Sequence, residues 1–467
     1  MRKKRIFSLL LSFLMLCSAV VISTQASQMD LPVTSGCHSV DAAMTISPNE
    51  KKVETSKAVI LFERNSDTLL YAWNPDERIY PTSMVKMMTA LIAIERGNLE
   101  EEVTVTRKVL DQLPIGTVSA GLKAGEKITL KDLLYCCMVE SANDAATVIA
   151  NHIGGTAEEF VLMMNEKAEE LGCKNTSYSN VHGLHDENTY TTARDICRIT
   201  EAALENDTFR TMFQTVTYTI SATNKNPERT ITTTNHMMNP KNKKYYDERV
   251  TGGKTGATDQ GGRCLALTAE TNGMDILCIV MGAKPTVAED GTLSAHGSFE
   301  ECLVLLNEAF ASYEYRQVFF EGQSLAQYPV VGGANDVVTQ AANSISAILP
   351  VDADLTQLRW VYQPAEGTIA APIALGQKLG IAQVWYGDKC LAQTDMITMN
   401  RSDVYIAPVV PEKPKDNRNS GSWTALLAIL LGVLGIFAVT LLVLRWIRLA
   451  EIKMRRRRRQ RRKEGRG

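Results

Sequence analysis

Ser83 and Lys86 stand three residues apart at the start of the apolar run Tyr80–Ala90. Positions i and i+3 share a helical face, so the Lys86 amine can sit over the Ser83 hydroxyl. A serine hydroxyl becomes a nucleophile when a neighbouring base takes its proton, and a lysine held neutral is such a base. The same tetrad also describes a capped amphipathic helix with an exposed lysine, and four residues do not separate the two. Two further short groups bear on the choice. Ser141-Ala142-Asn143 offers a hydroxyl and an amide, and Lys254-Thr255-Gly256 offers a cation, a hydroxyl and a residue without a side chain.

The elements that must position these groups can be read from pattern. Lys57–Glu63 and Leu69–Trp73 read as strands joined by the turn residues 64–68. Thr82 is placed to cap a helix over Ser83–Arg96 that Gly97 ends. Helical runs follow at Lys131–Met138, Ala145–Ile153, Glu158–Leu171 and Thr191–Glu205. Strands resume at Val216–Ala222 and Thr230–Thr234. Arg263–Glu270 and Met274–Met281 then flank Asn272-Gly273, a strong hairpin signal. A last helix covers Ser298–Tyr313. Strands at both ends and helices between predict an α+β fold, a sheet made from both chain ends with an inserted helical lobe. Ser83 then opens a helix, Ser141 lies in a loop between helices, and Lys254 begins a strand.

After residue 313 the pattern changes. Residues 318–407 show short strands separated by Gly, Pro and Asp, among them Val330–Gly333, Leu358–Tyr362 and Lys378–Tyr386, and read as a small all-β domain. Residues 408–422 read as a linker. Residues 423–444 form 22 uncharged, mostly apolar positions, which at ~1.5 Å per residue span a ~30 Å hydrocarbon core. Trp423 and Trp446 flank the span. The tail 445–467 carries twelve Lys/Arg against two acids, which places it in the cytoplasm and the body outside the cell. Residues 1–26 have the basic, apolar and small-residue regions of a signal peptide, followed by an extended, irregular lead-in over 27–52. The domain carrying the three groups therefore spans 53–313.

The net charge of −2 conceals these basic ends: without Arg2–Arg5 and the tail, the body carries about −16. An acidic body argues against a nucleic-acid partner, and anionic lipid suits a basic tail beside a membrane span better than RNA does. Of ten cysteines one lies in the signal segment, and the remaining nine do not suit a fully paired disulfide framework. No Cys/His spacing supports a metal; His182 and His185 are separated by a glycine that argues for a loop.

Ser-x-x-Lys, Ser-x-Asn and Lys-Thr-Gly in this order form the signature of penicillin-recognising serine acyltransferases. The chain resembles the low-molecular-mass penicillin-binding proteins, the serine-type D-alanyl-D-alanine carboxypeptidases of the S11 peptidase type. The resemblance extends through Leu133-Leu134-Tyr135, Ser141–Ala146, Met164-Asn165, His182-Gly183-Leu184, Thr192–Asp195 and Gly253–Thr258, covering roughly residues 55–312. More loosely, Pro372–Gly380 resembles the family's C-terminal β-domain. It implies a penicillin-binding/β-lactamase-like domain, a peptidoglycan pentapeptide as substrate, β-lactam antibiotics as acylating inhibitors and no cofactor. Many members end in a membrane-binding amphipathic helix; a full spanning helix and basic tail stand here instead.

Carried onto this chain, Ser83 attacks the carbonyl of the penultimate D-alanine. Lys86 takes its proton, with burial and the nearby Lys254 lowering its pKa. Ser141 relays a proton to the leaving D-alanine, and Asn143 holds Lys86 and the substrate amide. Lys254 and Thr255 bind the free carboxylate, and Gly256 leaves room for substrate along the strand edge. The backbone N–H groups of Ser83 and Ala257 form the oxyanion hole. His182 and Gly183 shape a loop, Arg194 and Asp195 form an ion pair at a helix start, and Met84, Met87 and Met88 fill the core. Endopeptidase or transpeptidase action and a non-catalytic wall-binding role are the alternatives. A β-lactamase is disfavoured, because nothing between Asn143 and Lys254 resembles the Glu-x-x-x-Asn loop that positions its deacylating water.

Overall fold

The run Ala58-Val59-Ile60-Leu61-Phe62 explains why the chain folds around a sheet covered on both faces. Successive strand residues point to opposite faces. Ala58, Ile60 and Phe62 join one buried apolar cluster, while Val59 and Leu61 join another. The structure, a computed structural model, describes residues 44–45, 53–287, 293–294, 297–365, 367–387, 389–408 and 421–463. The signal segment 1–26 lies outside them.

Six strands build the sheet: β1 (Met44–Thr45), β2 (Ala58–Glu63), β3 (Thr68–Trp73), β4 (Val250–Thr258), β5 (Gly262–Thr271) and β6 (Met274–Ala283). Their spatial order is β1-β3-β2-β6-β5-β4, antiparallel except for β1, which pairs in parallel with β3. Both chain ends of the domain therefore contribute, as the element order predicts. β1 falls within the 27–52 lead-in, so that stretch is not wholly irregular; the rest of it lies outside the described residues. Asn272 and Gly273 both take positive φ, 52° and 77°, which a tight turn between twisted strands requires.

The helical lobe is organised on α1 (Val85–Arg96), buried at every position from Val85 to Ala93. A helix apolar all round belongs inside a core. Around it pack α2 (Leu130–Met138), α3 (Asn143–Gly154), α4 (Ala157–Glu170), α5 (Ala193–Leu204) and α6 (Asp207–Phe213). Thr129, Thr156 and Thr192 cap α2, α4 and α5 by accepting an N–H three residues on. On the opposite face of the sheet lies α7 (Gly297–Ser312).

Two local expectations are corrected. Thr82 does not cap α1: it has φ +53°, donates its hydroxyl to the Pro81 carbonyl at 2.6 Å, and belongs to a 3-10 turn, Thr82–Met84, that precedes the helix. Arg194 and Asp195 do not pair with each other, because neighbours on a helix point apart. Arg194 binds Asp76 at 2.8 Å, and buried Asp195 accepts from Arg198 at 2.5 Å. Met84, Met87 and Met88 are buried in the lobe core as expected.

The strand Tyr313–Phe319 follows α7 directly and pairs with Ile345–Pro350. Beyond it a five-stranded antiparallel sheet runs in the order Ser324–Tyr328, Val337–Ala341, Lys389–Thr398, Lys378–Tyr386, Leu358–Pro364. Val330–Gly333 forms only isolated bridges, through Val331 to Ala370 and Gly333 to Val404, and not the expected strand. Tyr315 reaches the first domain, donating its hydroxyl to Glu63 at 2.6 Å. Separately, Gly421–Lys463 forms one helix of 43 residues, of which Thr424–Arg455 is long and apolar enough to cross a membrane. The helix runs on through most of the basic tail; residues 409–420 of the linker lie outside the described set.

Candidate active site

Ser83 sits on the 3-10 turn and Lys86 on the first turn of α1, where Lys86 is fully buried. The Lys86 ammonium nitrogen makes three contacts: Ser83 Oγ at 3.1 Å, Asn143 Oδ1 at 2.7 Å and the His182 carbonyl at 2.6 Å. The turn is wedged in place by two glycines. A Cβ on Gly183 would lie 1.8 Å from the Thr82 carbonyl oxygen, and one on Gly256 1.9 Å from Thr82 Oγ1 and 2.9 Å from the Ser83 nitrogen. The space a Gly256 side chain would need is thus taken by Thr82 and Ser83.

Ser141 and Asn143 occupy the corner between α2 and α3, with Ser141 at φ +65°. That sparsely populated conformation is held from several sides. Ala142 N–H donates to the Cys136 carbonyl at 3.0 Å and Asn143 N–H to Val118 at 2.8 Å. Buried Asp144 accepts from Ser119 Oγ and the backbone of Ala120 and Leu122, tying the 118–122 loop to the corner. The Ser141 hydroxyl accepts from Lys254 at 2.8 Å, and Lys254 also donates to the Thr255 carbonyl at 2.8 Å. Two linked groups result: Ser83–Lys86–Asn143, and Ser141–Lys254.

Burial dominates the electrostatics. It draws Lys86 down to about 8, with Cys137 and Asp144 pulling the other way. Lys254 falls to about 7 through burial and then through the charge on Lys86. The two buried amines repel one another, so a proton on either opposes a proton on the other. His182 is drawn to about 4 by burial and by Lys86, so its ring is neutral, and its Nδ1 accepts the Leu184 N–H at 3.2 Å.

A cleft of about 280 Å³ opens over this arrangement. Ser83, Ser141, Thr255, Gly256 and Ala257 line it, while Lys86, Asn143 and Lys254 lie buried behind them. Its remaining lining includes Glu140, Thr234, His236, Arg263 and Phe299, none anticipated as site residues. The His182 carbonyl was missed for a simple reason: a backbone acceptor leaves no trace in residue type. Thr234, bonded to the Thr255 hydroxyl, gave no separable signal within Thr232-Thr233-Thr234.

Residues 44–285 match the family model described as D-alanyl-D-alanine carboxypeptidase, and residues 313–403 match the C-terminal domain of penicillin-binding protein 5. The chain belongs to the serine-type D-alanyl-D-alanine carboxypeptidase family. Among curated relatives, D-alanyl-D-alanine carboxypeptidase DacF of Bacillus subtilis is 29% identical over 343 residues, covering 73% of this chain and 84% of the relative. A D-alanyl-D-alanine endopeptidase of Pseudomonas aeruginosa is 28% identical over 251 residues, covering 52% of this chain and 79% of the relative. The crystal structure of penicillin binding protein 5 from Haemophilus influenzae superposes with a TM-score of 0.58 at 27% identity, covering 77% of this chain and 99% of that one.

Proposed function

We propose that the protein removes the terminal D-alanine from peptidoglycan stem pentapeptides through an acyl-enzyme on Ser83. The observation that carries this reading is the bonding of Lys86. A neutral amine has two N–H bonds and one lone pair. Asn143 Oδ1 and the His182 carbonyl are acceptors only, so they take the two N–H bonds and turn the lone pair toward the Ser83 O–H. Burial favours that neutral form.

Ser83 Oγ then attacks the penultimate D-alanine carbonyl while its proton passes to Lys86. The oxyanion is met by the N–H groups of Ser83 and Ala257, each donor worth roughly 3 kcal/mol. Collapse breaks the peptide bond, with Ser141 passing a proton to the departing D-alanine nitrogen and taking one in turn from Lys254, which donates to its hydroxyl. Water then hydrolyses the ester. Lys254 and Thr255 bind the substrate carboxylate; an anion there favours protonated Lys254 and leaves Lys86 as the neutral member of the pair. β-Lactams acylate the same serine.

The bland alternative of an exposed lysine on a capped helix does not match a fully buried Lys86. The endopeptidase name of the Pseudomonas relative favours testing cross-linked peptides as a second substrate. The long apolar helix and basic tail support an anchor with the catalytic domain, residues 53–313, outside the cell. The β-domain, 318–407, then stands between that domain and the linker.

Purified ectodomain should take up labelled penicillin, and Ser83→Ala should not. Free D-alanine should appear from a peptide ending in D-Ala-D-Ala. Equal labelling of both proteins would remove Ser83 as nucleophile, and no release would reduce the protein to a binder.

A further inference from the structure

We propose that Cys278 on β6 and Cys302 on α7 are joined by a disulfide in the exported protein, a bond that staples α7 to the central sheet. The inference goes beyond the reaction on Ser83 and rests on the extracellular placement of the domain. Its starting point is a contact between two elements. The Cys302 thiol lies 3.1 Å from the Cys278 sulfur, across 24 residues of chain. Both side chains are fully buried in the apolar cluster between sheet and helix.

A disulfide holds its sulfurs ~2.05 Å apart, so the pair needs a closure of about 1 Å. Other described thiols are engaged differently: Cys173, Cys264 and Cys390 donate to backbone carbonyls at 3.7 Å. Nine cysteines after the signal segment exclude complete pairing but leave room for one pair. Outside the cell such a bond forms and persists.

Burial sets the timing. It holds the Cys302 thiol well above its ordinary range, and the thiolate is the reacting form. Exchange therefore belongs to the stage before α7, the last element of the domain, closes over the sheet. The oxidant is a small-molecule disulfide. One cysteine thiolate attacks it, releasing one small thiol and leaving a mixed disulfide. The second cysteine thiolate attacks the protein sulfur of that intermediate, forms the Cys278–Cys302 bond and releases the second small thiol. The two protein protons and two electrons leave with those thiols. Ser298 and Phe299, one turn before Cys302, line the cleft that contains Ser83, so the staple also fixes that part of its wall.

To test this, cells expressing the full chain are grown with oxidised glutathione in the medium. Thiols are trapped with N-ethylmaleimide before lysis, and the purified protein is digested without reductant. A linked peptide pair containing Cys278 and Cys302 should be recovered, and in C302A Cys278 should be alkylated. After heating, the fraction of wild type still acylated by labelled penicillin should show a midpoint that dithiothreitol lowers by roughly 5–10 °C. In C302A dithiothreitol should not move it. Fully alkylated Cys278 and Cys302, or a midpoint that moves equally in C302A, would overturn the pair. An impermeant amine label applied to intact cells checks the placement beneath it. A labelled ectodomain with both thiols reduced overturns the disulfide alone; an unlabelled one overturns the placement as well.

Discussion

The first domain and the β-region that follows it bury different things. Between Glu63 and Lys254 the chain buries six charged side chains: Glu63, Lys86, Glu126, Asp144, Asp195 and Lys254. From Tyr313 to Val404 the buried polar residues, among those described, are Thr339, Thr394, Thr398 and Ser402. A buried charge costs several kcal/mol unless it is bonded on all sides. The carboxylates meet that demand: Glu126, for example, accepts from Lys123, Thr223 and Asn226. Lys86 and Lys254 are also bonded but remain displaced from their ordinary ionisation. Two displaced amines behind one cleft mark a site of chemistry, and the described residues of the β-region bury no charged side chain. The comparison assigns chemistry to the first region and support to the second, and it can be broken at several points.

The largest effect is expected from Ser83→Ala, which should abolish both penicillin labelling and D-alanine release, a loss on the order of 10⁴-fold or more. Next comes pH. The base is neutral Lys86, so the rate of acylation by labelled penicillin should climb as pH rises through about 8. The same displacement has a stability consequence with a definite sign. Unfolded Lys86 keeps its proton to the ordinary 10.5, while the folded form sheds it from about 8. Between those values the unfolded chain binds more protons, so raising pH favours the fold. Wild type should therefore gain on the order of 2 kcal/mol relative to Lys86→Met between pH 8 and pH 10 by denaturant melts. A difference that shrinks with pH would show that Lys86 is not held neutral by burial.

What the sequence made legible follows from how local each feature is. Ser83–Lys86, Ser141–Asn143 and Lys254–Gly256 are contiguous, and strand and helix periods place them near the right elements, although Ser83 lies on the turn before α1 and Lys254 midway along β4, not at its start. The order of those elements was enough for a sheet made from both chain ends. Contacts between distant backbone segments were not legible. Gly183 lies 100 residues beyond Ser83, yet its missing Cβ sets the turn on which Ser83 sits. Nothing in the local pattern marks Thr82 for positive φ; local rules made it a cap, and packing against Gly183 and Gly256 overrode them. Arg263, which lines the cleft, was invisible for the same reason, since it stands there by its pairing with Ala257 on the neighbouring strand.

Gly183→Ala tests that long-range wedge. Gly183 has φ +84°, and the added methyl would meet the Thr82 carbonyl. Strain and clash together should destabilise the domain by about 3 kcal/mol. The surviving folded enzyme should acylate roughly 10- to 100-fold more slowly, because Ser83 moves with the turn. An acylation rate that held while stability fell would uncouple the wedge from the nucleophile.

The smallest effect on activity is expected at the join between the two regions. Tyr315 of the β-region donates to Glu63 at 2.6 Å, and Glu63 also accepts from Ser66 and from the Asp275 N–H. Burial holds the Glu63 carboxyl above its usual range, so each lost donor leaves it further toward the neutral acid. Tyr315→Phe removes one donor of four and keeps the ring in place. It should cost about 1–2 kcal/mol of stability and leave penicillin acylation within about twofold of wild type. Acylation falling as far as in Gly183→Ala would mean that the β-region positions the nucleophile, and the division between chemistry and support would not stand.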